Sequence, residues 1–145
     1  MSVPKEPPGL LESTGYLLAR VGSESRRRFV EALVIQDLTL AAYSVLMVLG
    51  YTSDATQRRL GDAVGIDPRN LVPILDHLEA RGLIDRREHP RDRRRHEVTL
   101  TPAGRKQLAA LAHVGAEAES EFLRPLNKQQ RRELHSLLTK LLREN

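Results

Sequence analysis

Seven of the fifteen residues in the segment RGLIDRREHPRDRRR, residues 81–95, are arginines. Arginine at this density is polyanion chemistry. A planar guanidinium grips phosphate oxygens through a fork of N–H donors and keeps its charge at any physiological pH. Set against three acids, the segment carries +4, which is the net charge of the whole 145-residue chain. The other 130 residues hold sixteen bases and sixteen acids. Read alone, such a run also fits an ordinary solvated face. Its neighbours decide the matter. Just upstream, Arg69 and Asn70 are the side-chain types that pair with the edges of guanine and adenine.

Other chemistries lack their residues. The chain has no cysteine, so no disulfide, Cys-ligated zinc or thiol sensor can form. Its five histidines are His77, His89, His96, His113 and His135, and no two stand four apart as a helical metal pair would. No metal site or cofactor is expected. There is no Gly-rich phosphate loop, no nucleophile elbow and no HExxH, so no enzyme is expected. The longest uncharged stretch, Leu38–Ser53, has 16 residues, short of the roughly 20 that a membrane span needs. The first nine residues hold three prolines and no apolar signal region. They are expected to form an N-terminal arm on a cytoplasmic, nucleoid-associated protein.

The elements that position these residues can be read from caps and periodicity. Apolar residues from Leu10 to Leu33 follow a helical pattern. Thr39 is placed to cap a helix over Leu40–Gly50 that is apolar nearly all round and so buried on most sides. Thr56 caps a short helix, Gln57–Val64, and Gly65 suits the left-handed turn that ends it. Asp67 then caps, and Pro68 opens, a helix to about Ala80 with Leu71, Ile74, Leu75 and Leu78 facing inward. Two short helices joined by Gly65-Ile66-Asp67 have the form of a helix-turn-helix. The outward face of the second is Pro68, Arg69, Asn70, Val72, Pro73, Asp76 and His77. Pro73 lacks an amide proton and crowds the carbonyl of Arg69, so a kink or a loosened first turn is expected.

From Leu83 the period changes to that of strands. Leu83–Glu88 and His96–Leu100 read as a β-hairpin with the arginine-rich segment at its tip. Thr101-Pro102 opens a helix to about Leu123. Asn127 with Gln130 is a capping box for a last helix to about Arg143. Aromatics are only 3% of the chain, so the core must be aliphatic. The expected fold is mainly α, an α+β winged helix: six helices and a two-stranded wing. Residues 38–100 form the winged helix-turn-helix, and 10–37 with 101–145 a helical dimerisation region. An α-helix fits the major groove, and an Arg-rich hairpin beside it reaches the backbone or the minor groove. The residues thus point to double-stranded DNA as the partner. The terminal helices carry more leucine than one winged helix can cover, which calls for a second copy of the chain.

Three stretches resemble the MarR family of bacterial transcription regulators: LTLAAYSVL (Leu38–Leu46), RLGDAVGIDPRNLVPILDHLEARGLI (Arg59–Ile84) and PRDRRRHEVTLTPAG (Pro90–Gly104). The last is the most specific. Its D-R-R tip is followed by L-T-x-x-G at the start of the next helix. The resemblance implies an intertwined homodimer whose two winged helices read a pseudo-palindromic operator. It implies a repressor that releases DNA on binding a small phenolic or aromatic carboxylate ligand. It also implies that Arg94 enters the minor groove, that Asp92 orients the wing arginines through an ion pair, and that Arg86 contacts the DNA backbone. Arg91, Arg93 and Arg95 are further wing charges. Pro73 and Val72 depart from the family's polar residues there, and Val72 suits a thymine methyl instead. The effector crevice of relatives would map onto Tyr16, Arg20, Tyr43, Met47 and His113. The alternative reading of the same basic hairpin is a winged-helix protein-interaction or RNA-binding module without ligand sensing.

Overall fold

The computed structural model describes residues 7–52 and 54–145. The described elements run α1 (Thr14–Ile35), α2 (Leu40–Thr52), β1 (Asp54–Thr56), α3 (Gln57–Val64), α4 (Pro68–Ala80), β2 (Ile84–His89), β3 (Asp92–Leu100), α5 (Pro102–Phe122) and α6 (Lys128–Glu144). Of the expected arm, residues 1–6 lie outside the described residues, and Pro8–Leu10 form a single 3-10 turn. The chain divides into two units, one of residues 30–114 and one of 7–29 with 115–145. Both divisions fall inside helices, α1 and α5.

The unit of residues 30–114 is the winged helix. Among the described residues, every buried apolar side chain belongs to it, from Leu33 to Leu111. It reaches past the 38–100 segment at both ends because those two leucines are buried in it. Each buried leucine contributes about 1.5–3 kcal/mol. The apolar helix α2 buries Ala42, Val45, Leu46 and Leu49, α3 adds Leu60, and α4 presents Leu71, Leu75 and Leu78.

Local signals build these helices. The Ala42 amide donates to Thr39 Oγ1 at 3.1 Å. Thr56 Oγ1 accepts from the Arg59 amide at 3.3 Å, and Gly65, at φ 67°, takes the left-handed turn after α3. Asp67 Oδ1 accepts from the Arg69 amide at 2.8 Å. The Asn70 and Leu71 amides both donate to the Asp67 carbonyl, at 2.9 and 3.0 Å. The first turn of α4 is therefore closed, not loosened, and the helix continues through Pro73 to Ala80. The L-T-x-x-G sequence has a local cause as well. Thr101 Oγ1 accepts from the Gly104 amide at 3.0 Å. A Cβ on Gly104 would collide with the Leu83 carbonyl oxygen and the Leu100 side chain.

The wing differs from the two-stranded hairpin in one respect. It is a three-stranded antiparallel sheet in the order β1-β3-β2. Ala55 pairs with Val98, and Ile84 with Leu100. The strands also run further out than the alternation indicated. Arg93, Arg94 and Arg95 lie within β3, and only Pro90 and Arg91 separate the two long strands.

In the other unit, Glu24 accepts from Arg27 at 2.7 and 2.9 Å and from Arg28 at 3.0 Å. The Arg28 guanidinium lies 5.2 Å from the centre of the Phe122 ring, a cation–π contact. Asn127 and Gln130 close the capping box of α6, each accepting from the other's amide at 2.9 Å. No residue of α6 is buried, and Leu137, Leu138, Leu141 and Leu142 are all exposed. No single helix among the described residues is long and apolar enough to cross a membrane.

Candidate nucleic-acid interface

Helix α4 presents the face expected of it. Leu71, Leu75 and Leu78 are buried and Ile74 is half-buried, while Pro68, Arg69, Asn70, Val72, Pro73, Asp76 and His77 are exposed. The two ends of that face are engaged differently. Arg69 and Asn70 stand in the first turn beside the Asp67 cap, which holds their backbone. Asp76 and His77, about two turns later, are bonded to other parts of the unit. Asp76 Oδ1 accepts from Arg86 Nη2 at 2.5 Å. His77 Nε2 lies 3.2 Å from the Asp37 carbonyl oxygen.

Arg86 is the most heavily bonded arginine of the wing. Beyond Asp76, its Nε and Nη2 donate to the two oxygens of Glu79, at 3.3 and 3.0 Å, and its own amide donates to Glu79 Oε2 at 3.2 Å. The Glu79 carboxyl is held below its ordinary range by the Arg86 hydrogen bonds. The Arg86 guanidinium is pushed up, first by Glu79, with Asp76 also raising it.

Further out, the wing is exposed and basic. Asp92 Oδ1 accepts from the Arg94 amide at 3.0 Å, and its Oδ2 lies 3.6 Å from Arg95 Nε. The aspartate's ion pair is thus with Arg95, while Arg94 is held through its backbone. At the turn, His89 Nδ1 accepts from the Arg91 amide at 3.2 Å. The guanidinium groups of Arg91, Arg93 and Arg94 have no acid partner among the described residues. Charges left uncompensated at an exposed tip are available to a polyanion.

An open groove of about 1060 Å³ lies between the wing on one side and α3 with the start of α4 on the other. Pro68 at the start of α4 and Asp92, Arg94 and Arg95 of β3 line it, together with Arg58 and Arg59 of α3. Sequence reasoning missed those last two. Two cations in the first turn of a helix oppose its dipole, and that unfavourable placement was the signal that could have found them. The proposed effector residues are divided between the units. Tyr16 and Arg20 lie on α1 among residues 7–29, whereas Tyr43 and Met47 on α2 and His113 on α5 belong to residues 30–114. No group of three or more His, Cys, Asp or Glu side chains among the described residues could hold a metal ion.

Comparison with known proteins agrees with this geometry. The family model described as MarR family matches residues 36–95. The transcriptional regulator HosA of Escherichia coli O111:H- is 32% identical over 108 residues, covering 74% of this chain and 80% of its own. Among solved structures, the transcriptional repressor CouR bound to a 23-mer DNA duplex is 32% identical. It covers 97% of this chain and 99% of its own, with a TM-score of 0.74. A mutant MarR from E. coli complexed with operator DNA is 28% identical, over 88% of this chain and 92% of its own, with a TM-score of 0.67. These relatives are regulators and not enzymes. With its helix-turn-helix, its basic wing and these matches along most of its length, the chain belongs to the MarR family of winged-helix transcriptional regulators.

Proposed function

We propose that the chain is a homodimeric repressor that reads a pseudo-palindromic operator in double-stranded DNA. The observation that carries the reading is the placement of charge. The +4 of the whole chain sits on residues 81–95, and three wing arginines there have no acid partner among the described residues. In this reading Arg69 and Asn70 address base edges in the major groove, and Val72 and Pro73 make apolar contact beside them. Arg94 enters the minor groove from the wing, while Arg91, Arg93 and Arg95 meet phosphates. CouR, a repressor held on duplex DNA, supports the repressor assignment by analogy.

The dimer is supported by α6. A helix with four exposed leucines and no buried residue has no core of its own to belong to, and a second copy would cover that apolar face. Release by a small phenolic or aromatic carboxylate ligand completes the reading. It rests on the family resemblance, with Arg20 as the carboxylate's counter-charge. The protein would act in the bacterial cytosol.

Equilibrium binding to duplex DNA tests the assignment. Affinity should fall steeply with salt, and Arg94→Ala should lower it while leaving the melting temperature unchanged. An Arg94→Ala protein with wild-type affinity would remove the wing from the interface.

A further inference from the structure

Arg86 was expected at the DNA backbone, yet its bonds run inward. Its side chain is 20% exposed, and among the described residues its side-chain hydrogen bonds go to two acids on one face of α4, Asp76 and Glu79. Nε and Nη2 approach the two oxygens of Glu79 side by side, the bidentate fork that only arginine makes. The fork's second nitrogen also reaches Asp76. A guanidinium facing two carboxylates carries no surplus positive charge toward a phosphate. Arg93 and Arg94, by contrast, are exposed and have no acid partner among the described residues.

The position of the cluster matters more than its charge. Helix α4 ends at Ala80, and the chain turns into β2 through Gly82, which adopts φ 70°. The turn is closed by the Gly82 amide on the Glu79 carbonyl, 2.9 Å, and the Leu83 amide on the Leu78 carbonyl, 3.0 Å. Those bonds hold the hairpin at its root. On its other side β3 is tied to the unit by its pairing with β1 at residues 97–99, where Val98 is buried. The Arg86 bonds tie β2 directly to α4 at the level of Val98, its partner in β3, so that the outer wing is oriented by α4 itself as well as by its neighbour in the sheet.

We infer that Arg86 is a positioning residue: with Glu79 and Asp76 it brackets the wing to the recognition helix, so that Arg94 and the first turn of α4 are presented to one duplex together. It does not contact a phosphate. The inference rests on the DNA-binding reading above. Binding by two preoriented elements avoids the ordering cost that a loose wing would add.

Three variants separate bracket from phosphate contact: Arg86→Lys, Arg86→Gln and Glu79→Gln. Each is measured for DNA affinity across a range of salt and for amide hydrogen exchange in the free protein. The bracket predicts that Arg86→Lys loses affinity about as much as Arg86→Gln, roughly tenfold or more, because an ammonium cannot form the fork. It predicts the same direction for Glu79→Gln, although that change removes a negative charge from the DNA-binding region. The salt slope should stay at its wild-type value, and exchange in β2 and β3 should rise without DNA. A phosphate contact predicts the reverse. Arg86→Lys would retain most of the affinity, Glu79→Gln would bind more tightly, and Arg86→Gln would reduce the salt slope by about 0.9. Unchanged wing exchange in all three variants would overturn the bracket whether or not the protein binds DNA. Faster wing exchange in a protein that binds no duplex would uphold the bracket and fail the DNA-binding reading alone. Glu79→Gln keeps Arg86 in place, so it tests the inference even if the Arg86 variants fold poorly.

Discussion

The imidazole of His77 meets the backbone carbonyl of Asp37, forty residues earlier in the chain, at 3.2 Å. Arg81, the residue just past the end of α4, donates to the same oxygen at 3.0 Å. Asp37 lies in the turn that closes the end of α1. Its amide donates to the Val34 carbonyl at 2.9 Å and the Leu38 amide to the Leu33 carbonyl at 3.0 Å. This closure requires a left-handed residue, and Asp37 supplies it at φ 55°. The corner between α1 and α2 is thereby gripped by α4 and the residue that follows it.

Because the grip is on a carbonyl, the aspartate side chain is dispensable. Asp37→Gly should be at least as stable as wild type, by up to about 1 kcal/mol, since glycine enters the left-handed region without steric cost. Asp37→Val should lose more than about 1 kcal/mol for the opposite reason. Urea unfolding measures both. Equal losses in the two variants would mean that the carboxylate, 3.6 Å from His77 Nε2, carries the contact instead.

Arg69 and Asn70 are assigned to base edges, and the assignment has a distinct signature. Arg69→Ala or Asn70→Ala should relax the preference for the operator over random duplex, by about 1–3 kcal/mol for each bidentate pairing with a base that the change removes. Competition binding against random DNA reads this. If specific and random affinities fall together, the two residues position the helix on phosphates and read no base.

Glu24 gives the pH dependence a definite sign. Hydrogen bonds from Arg27 and then Arg28 lower its pKa from 4.5 to about 2. A carboxyl whose folded pKa is depressed binds its proton more readily when unfolded. Its contribution to stability is therefore complete above pH 4.5 and is lost as pH falls from there towards 2. Carbon NMR titration of the Glu24 carboxyl should show it still ionised at about pH 3. Glu24→Gln should flatten that part of the acid limb of the stability curve; an acid limb identical to wild type would remove Glu24 from it.

The helices were legible in the sequence because their ends are written locally. Thr56, Asp67 with Pro68, and Asn127 with Gln130 each cap a helix through bonds spanning two or three residues. The inward stripe of α4 followed from spacing alone. Strand β1 was not legible. It has three residues, and what makes it a strand is its pairing with residues 97–99, more than forty positions away. The same limit applied to Asp76, His77 and Arg86. Periodicity placed the first two on the outer face correctly, but an outer position does not disclose its partner. The partners, Asp37 and the acids of α4, become neighbours only once the wing and the α1–α2 corner fold against the recognition helix.

A hydroxyl-radical footprint tests the central claim most directly. The wild-type protein would be bound to a duplex selected from random sequence. Two winged helices related by a two-fold axis should protect two dyad-related half-sites whose centres lie about 34–36 Å apart, one helical turn. Protection should extend into the minor groove flanking each half-site, where Arg94 is placed. A single protected half-site, protection without dyad symmetry, or no protection at any duplex would contradict the account.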